Sequence, residues 1–240
     1  MDVVTWNLNG LEPIDLGPRT EGALFTVLLG GPLEEVLTSG PRLDPPAAVL
    51  LQEVVETSFY AHVVPHLRAA GYTIFPERPP ERSYFEVIAV RGPVLDAESR
   101  PFRQSGMGRE LTRVRTPWCT LFTGHLESLG PGRPARLTQT AEVLAALAAT
   151  EGPALFGGDT NLRQAEWSTV EVPATVRDAW ELAGSAPSTA ATWGKARYDR
   201  VWLKGLTATS FSLLGDRPLD ATGDRPSDHL GVRVTVAASA

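Results

Sequence analysis

Ala154-Leu155-Phe156-Gly157-Gly158-Asp159-Thr160-Asn161-Leu162-Arg163 is the stretch that decides the fold. Three apolar residues run straight into two glycines, and a short apolar run bounded in this way reads as a buried strand. Asp159 and Asn161 then fall at the strand's end, where ligand sites gather in layered α/β folds. The same arrangement recurs on either side. Residues 2–6 read as a strand delivering Asn7, residues 47–51 as one ending at Gln52-Glu53, and residues 119–125 as one leading into His125-Leu126-Glu127-Ser128. Tyr198-Asp199-Arg200 opens a strand over 198–203, and Ser227-Asp228-His229 precedes a final one over 231–236. Further strands are predicted over 72–75, 84–91 and 111–115. Helices are predicted over 20–38, interrupted by Gly30-Gly31-Pro32, and over 55–70, 134–149 and 178–182. This order suggests two sheets packed face to face with helices outside. A single α/β domain over residues 1–240 is expected, since no Pro/Gly/Ser tract is long enough to divide the chain.

With 42% hydrophobic and 21% charged residues in 240, the chain can bury a large core, which excludes the disordered and fibrous classes. No apolar run approaches the roughly 18 residues of a membrane span. The first residues lack the basic and apolar regions of a secretory leader, so a cytoplasmic protein is expected. The lone Cys119, between Trp118 and Thr120, rules out an intrachain disulfide and reads as a small buried hydrophobe. A net charge of −6, from 28 acids against 22 bases, argues against a long, non-specific nucleic-acid footprint. It leaves room for a local site. Arg100, Arg103, Arg109, Arg113 and Arg115 crowd a stretch in which Glu110 is the one acid, and this reads either as a basic lip or as a solvated face.

Taken together, the strand-end clusters resemble the endonuclease/exonuclease/phosphatase superfamily. Asn7 after Trp6, Gln52-Glu53, Gly158-Asp159-Thr160-Asn161, Asp199 and Ser227-Asp228-His229 occur in that family's order, across residues 5–231. The longer strings Thr5-Trp6-Asn7, Leu51-Gln52-Glu53-Val54, His125-Leu126-Glu127-Ser128, Gly158 to Arg163 and Pro226-Ser227-Asp228-His229 are most similar to catalytic domains of the tyrosyl-DNA phosphodiesterase 2 type. So are Tyr84, Gly108-Arg109, Trp193 after Thr192, and Asp178-Ala179-Trp180-Glu181. The resemblance implies a four-layer αββα sandwich of the DNase I kind, with two mixed sheets flanked by helices. It also implies Mg2+-dependent cleavage of phosphoester bonds, with Mn2+ able to substitute. The implied partner is a phosphoester substrate at a DNA end, a 5′-tyrosyl adduct among them. No ubiquitin-binding region is expected, because the chain starts at its first strand, and Leu230 stands where animal members of that type carry tryptophan.

The resemblance assigns roles that the chemistry supports. Phosphodiesters are anionic, and a hard cation held by carboxylates neutralises them. Glu53 is the first expected metal ligand, with Asp228 a second, directly or through water. Asp159 is expected to orient or deprotonate the nucleophile and Asn161 to hold the water. His229, buttressed by Asp199, would donate to the phosphoryl oxygens, and Asn7 would hold a metal-bound water or such an oxygen. His125 and Ser128 are expected to bind the phosphate or protonate the leaving group. Arg163, Tyr84 and Arg109 are expected substrate contacts, and Trp193 either walls the substrate channel or belongs to the core.

Other readings are weaker. His62 and His66 are four apart but flank Pro65 and lack the metalloprotease glutamate, so they read as surface residues. Gly30-Gly31-Pro32 is followed by no Gly-Lys-Ser/Thr and is not a phosphate loop. The alternative function is a nuclease, phosphatase or phosphodiesterase of the same superfamily acting on a lipid, nucleotide or small-metabolite phosphate. A silent binding module is disfavoured by the presence together of Glu53, Asp159, Asn161, Asp228 and His229.

Overall fold

A computed structural model describes residues 1–219 and 224–239. The first half of the chain runs β1 (Asp2–Asn7), α1 (Leu16–Leu29), α2 (Leu33–Ser39), β2 (Ala48–Val54), α3 (Glu56–Ser58), α4 (Val64–Ala69), β3 (Tyr72–Phe75), β4 (Phe85–Arg91), β5 (Asp96–Pro101), β6 (Glu110–Arg115) and β7 (Thr120–Gly124). The second half runs α5 (Arg133–Ala149), β8 (Ala154–Asp159), α6 (Gln164–Trp167), β9 (Val176–Asp178), α7 (Ala179–Leu182), β10 (Asp199–Lys204), β11 (Leu206–Leu214) and β12 (Gly231–Ala238). They form two six-stranded sheets, one of order β11-β12-β1-β2-β4-β3 and the other β5-β6-β7-β8-β10-β9. Both are mixed, since β1 and β2 pair in parallel, as do β7 and β8, within otherwise antiparallel ladders.

The period-two alternation of the strands builds the layers. Val4 and Trp6 of β1 pack with Leu24 and Val27 of α1 in an outer core, while Val3 faces inward with Leu50, Ile88, Leu121, Leu155 and Val201 between the sheets. Ala154, Phe156 and Trp202 turn the other way, against Val143, Leu144 and Leu147 of α5. The result is the expected αββα sandwich. Alternation also carries Asn7, Asp159 and Asp199 to the inner faces at one end of the sandwich, in step with Val3, Leu155 and Val201.

Glycines permit the tightest approaches. A Cβ on Gly157 would lie 3.1 Å from Cβ of Thr5 on the facing sheet, and one on Gly158 would lie 2.2 Å from the Gly124 carbonyl oxygen. The two glycines that open the sequence reading thus let the sheets and strands close just before Asp159. Trp6 is held the same way, because a Cβ at Gly215 or Gly231 would meet its ring at 2.3 or 2.7 Å.

Three strands escape the sequence reading, namely β5, β9 and β11, along with the short α6. The helix expected over 55–70 is broken into α3, a π-helical turn at Phe59–Val63 and α4. Pro65 lacks an N–H and its ring crowds the carbonyl four residues back, so the preceding turn widens. No helix among the described residues is long and apolar enough to cross a membrane.

Candidate active site

Each half of the site comes from one sheet. Asn7, Glu53, Tyr84 and His229 stand on or beside β1, β2, β4 and β12, whereas Arg109, His125, Asp159 and Asp199 stand on or beside β6, β7, β8 and β10. Asn7 Nδ2 donates to Asp159 Oδ2 at 3.0 Å and to Glu53 Oε1 at 3.2 Å. His229 Nδ1 lies 2.8 Å from Asp199 Oδ2, and its Nε2 lies 3.7 Å from Asp159 Oδ2. His125 sets Nε2 at 3.3 Å from Asp159 Oδ2 and Nδ1 at 3.5 Å from Glu53 Oε1. The Asn161 backbone N–H donates to Asp159 Oδ1 at 2.9 Å, and the Asn161 amide donates to the Leu126 carbonyl.

Local backbone geometry aims these groups. The β2–β4 register slips between Leu51 and Val54, where three steps along β2 match two along β4, and Glu53 takes φ 53°. This bulge releases Glu53 from the alternation and turns it to the edge. Asn161 takes φ 50°, which a short polar side chain tolerates and a bulky one does not. Trp6 Nε1 donates to the His229 carbonyl at 2.9 Å, and Ser227 Oγ donates to the Asn7 carbonyl at 2.7 Å. The wedged core tryptophan and the serine of the Ser-Asp-His string therefore fix the loop before β12.

The electrostatics divide the two histidines. Burial drives His125 down to about 3, with Arg109 and His229 adding to the effect and Asp159 opposing it, so at neutral pH it is an uncharged imidazole. Burial also disfavours a charged His229, but Asp199, its hydrogen bond, Asp159 and Asp228 outweigh it and raise His229 to about 10. His229 is an imidazolium at neutral pH. Burial raises Glu53, as does nearby Asp159, against the hydrogen bond from Asn7.

Asp159, Asp199 and His229 place ligand atoms within 4.8 Å of one another, a cluster able to hold a metal ion. Glu53 and Asp228 are not in that cluster. Asp228 is exposed, and its Oδ2 accepts from Trp193 Nε1 at 3.0 Å. Asp199 engages His229 Nδ1 through Oδ2 alone, and its buried Oδ1 accepts no hydrogen bond, so a hard oxygen stands free within the cluster. A cation beside Glu53 would offset the burial and the Asp159 repulsion that raise its pKa. The donor set therefore fits a hard divalent ion, and no Cys/His cluster among the described residues offers a soft one.

The remaining expected residues are placed unequally. Arg109 is buried with its guanidinium 5.0 Å from the centre of the Tyr84 ring, and that ring lies 6.2 Å from His125. Trp193 is 43% exposed and stacks on Tyr198 beside His229, a wall position and not a core one. Ser128 donates to the Met107 thioether at 3.2 Å. Arg163 is exposed at the start of α6. A cavity of about 420 Å³ adjoins Ser227 and Asp228 and is lined also by Asn9, Glu12, Arg19 and Arg225. The stretch from Arg100 to Arg115 is not a continuous basic lip. Pairing of β5 with β6 brings Asp96 and Glu98 to Arg113, Arg100 faces Glu142, and Arg109 is buried apart.

Two supporting residues stand inside strings quoted from the sequence, yet the sequence reading gives them no role. Thr192 Oγ1 accepts the backbone N–H groups of Tyr198 and Asp199 and so holds the start of β10. Glu127 accepts from Gly106 N–H and Ser105 Oγ, anchoring the loop that carries Arg109. Cys119 is buried, its thiol pushed up to about 12, and takes no part. His62 pairs with Glu21 away from the site.

Residues 4–229 match the endonuclease/exonuclease/phosphatase family. Tyrosyl-DNA phosphodiesterase 2 of Mus musculus is 30% identical over 261 residues, covering 97% of this chain and 65% of its own length. The chain thus spans less than two thirds of that relative. Among solved structures, TDP2 of D. rerio complexed with single strand DNA product superposes with a TM-score of 0.83 at 26% identity, covering 99% of both chains. TDP2 of C. elegans gives 0.82 at 28% identity, covering 99% of this chain and 75% of the other. With a family match across almost its whole length and the strand-end groups gathered at one edge of an αββα sandwich, the chain belongs to the endonuclease/exonuclease/phosphatase family.

Proposed function

We propose that this chain is a Mg2+-dependent phosphodiesterase, with Mn2+ able to substitute, that hydrolyses a phosphoester at a DNA end and releases a tyrosyl or similar aryl group from a 5′ phosphate. The observation that carries the reading is the convergence of Asn7, Asn161, His125 and His229 on the Asp159 carboxylate, with Glu53 one hydrogen bond away through Asn7. Glu53, joined by Asp228, would hold the cation. When bound, that cation neutralises phosphate charge and polarises the reacting phosphorus centre.

The protein's own groups supply the rest. Asp159, fixed by the Asn161 backbone and by Asn7, accepts the proton of the attacking water as the new P–O bond forms. His229 keeps Nδ1 on Asp199, and its Nε2 is too far from Asp159 for a hydrogen bond, so the Nε2–H can donate to a phosphoryl oxygen. His125 is uncharged and directs its ring at Asp159 and Glu53. That suits binding and orientation, not protonation of the leaving oxygen. The bond to the leaving group breaks with its electron pair, and a phenolate with a parent pKa of about 10 departs with little help.

The relatives named tyrosyl-DNA phosphodiesterase 2 support the DNA-end reading. The second reading, a smaller phosphate ester, is favoured by the net charge of −6, which argues against a long nucleic-acid footprint. A panel with Mg2+ separates them: a tyrosyl-linked DNA end, an abasic duplex, plain single-stranded DNA and an inositol phosphate. Dominant turnover of the tyrosyl-linked end is expected; dominant turnover of the inositol phosphate would overturn the DNA reading.

A further inference from the structure

Gln52-Glu53 reads in the sequence as one polar pair at a strand end, yet only Glu53 reaches the site. Gln52 is fully buried between the sheets. Its Nε2 donates to Thr123 Oγ1 of β7 at 2.8 Å, to Thr5 Oγ1 of β1 at 3.1 Å and to the Leu50 carbonyl at 3.2 Å. Thr123 Oγ1 in turn donates to the Gly157 carbonyl at 2.6 Å, two residues before Asp159. One run of hydrogen bonds therefore leads from β2, a residue before Glu53, across the sandwich to the backbone of β8.

Its placement matters because the site is split between the sheets. The contacts Asn7–Asp159, Glu53–His125, His229–Asp199 and Tyr84–Arg109 all cross that division. The inter-sheet core behind them is made of Val3, Leu50, Ile88, Leu121, Leu155, Val201 and similar residues. Apolar contact is non-directional and does little by itself to fix how facing sheets sit in register. A hydrogen bond weakens steeply with distance and angle. In a site where misplacement by about 1 Å can cost a hundredfold in rate, a directional tie beside the reacting groups sets performance.

We infer that Gln52 is a positioning residue: through Thr123 and Gly157 it fixes the spacing and register of the two half-sites, one on each sheet. Gln52 touches no substrate, and it acts by holding Glu53 and Asn7 opposite Asp159 and His125. The bland alternative is a buried amide that is merely satisfied, and its loss would then cost stability alone.

The inference uses the phosphodiesterase reading only for its kinetic arm, which is Mg2+-dependent hydrolysis of the p-nitrophenyl ester of thymidine 5′-phosphate. Gln52→Met conserves volume and removes the amide, Thr123→Val removes the hydroxyl, and Thr123→Ser restores it. Leu147→Ala, in the outer core near the C-terminal end of α5, serves as a destabilised control. Gln52→Met and Thr123→Val are expected to lose at least about tenfold in kcat with KM little changed. Thr123→Ser should keep wild-type kcat, and Leu147→Ala should keep it despite an equal or larger fall in Tm. A crystal structure of Gln52→Met decides the point without turnover, because the Asn7 Nδ2 to Asp159 Oδ2 contact of 3.0 Å should open beyond hydrogen-bond reach. Retention of that contact together with wild-type kcat, or an equal kcat loss in Leu147→Ala, would overturn the assignment. Absence of wild-type turnover would refute the proposed reaction and leave the crystallographic arm to judge Gln52.

Discussion

Asp159 and Asp199 face each other across antiparallel β8 and β10, and each presents an oxygen to a different nitrogen of His229. Like charges directly opposite in a ladder repel, and the imidazolium between them offsets that repulsion. Burial alone would strip His229 of its proton, so its charge depends on these two carboxylates and on Asp228.

Asp199→Asn should therefore lower the His229 pKa from about 10. A raised folded pKa gives stability that is complete below the unfolded value, about 6.5. That stability is lost as pH rises through the folded value. In the wild type the loss, and the fading of any activity that needs the imidazolium, falls near pH 10. In Asp199→Asn both should move toward neutrality. A pH–rate profile, with ring nitrogen NMR of His229, measures this; an unmoved alkaline limb would remove the imidazolium from the mechanism.

His125 stays neutral because it is buried, with a pKa of about 3. A group so reluctant to take a proton is a poor general acid at pH 7. His125→Ala is expected to slow p-nitrophenyl and alkyl esters of one phosphorylated nucleotide alike, by about a hundredfold, as lost phosphoryl-oxygen positioning would. A large loss confined to the alkyl ester would make His125 the acid after all.

Both histidines are named by strings visible in the sequence, and so are Asn7, Glu53 and Asp159. What could be read was chemistry at strand ends, since short apolar runs bounded by Gly, Pro and polar clusters mark β1, β2, β7, β8 and β12. The charged edge strand β5 shows no apolar alternation, and β11, rich in Thr and Ser, is half exposed, so neither stands out. Long-range pairing is what the linear reading lacks. It gives Arg113 its acids from β5 and turns Gln52 inward, and it lays Arg109 over Tyr84 from the other sheet. The order of the motifs gave no sign that Asn7 meets Asp159, and His229 meets Asp199, from opposite sheets.

Gly157→Ala probes that division without touching a polar group. Its methyl would sit 3.1 Å from Thr5 Cβ, closer than facing sheets tolerate without shifting. A loss of about 1–3 kcal/mol in stability is expected, as for an overpacked core. Because the sheets must part next to Asp159, kcat should fall as well. Denaturant unfolding and kinetics together check this, and wild-type values of both would mean the close approach is not required.

Removal of divalent ions should abolish turnover, and Mg2+ or Mn2+ should restore it. Burial holds Glu53 above the usual carboxylate range, so protons compete with the cation for it at higher pH than for an ordinary glutamate. The Mg2+ concentration needed for half-maximal rate should therefore rise as pH falls through that raised pKa. Full activity in excess chelator would exclude the metal, and a pH-independent Mg2+ requirement would exclude Glu53 as its ligand.

The central claim is that Asp159, gathered with Asn7, His125, Asn161 and His229 at the junction of the two sheets, drives phosphoester hydrolysis. Its most direct test is the turnover of p-nitrophenyl thymidine 5′-phosphate with Mg2+ by wild type and Asp159→Asn, each with its melting temperature. A loss of about a thousandfold or more in kcat is predicted, with the fold intact and KM nearly unchanged. Near-wild-type turnover by Asp159→Asn would contradict the account.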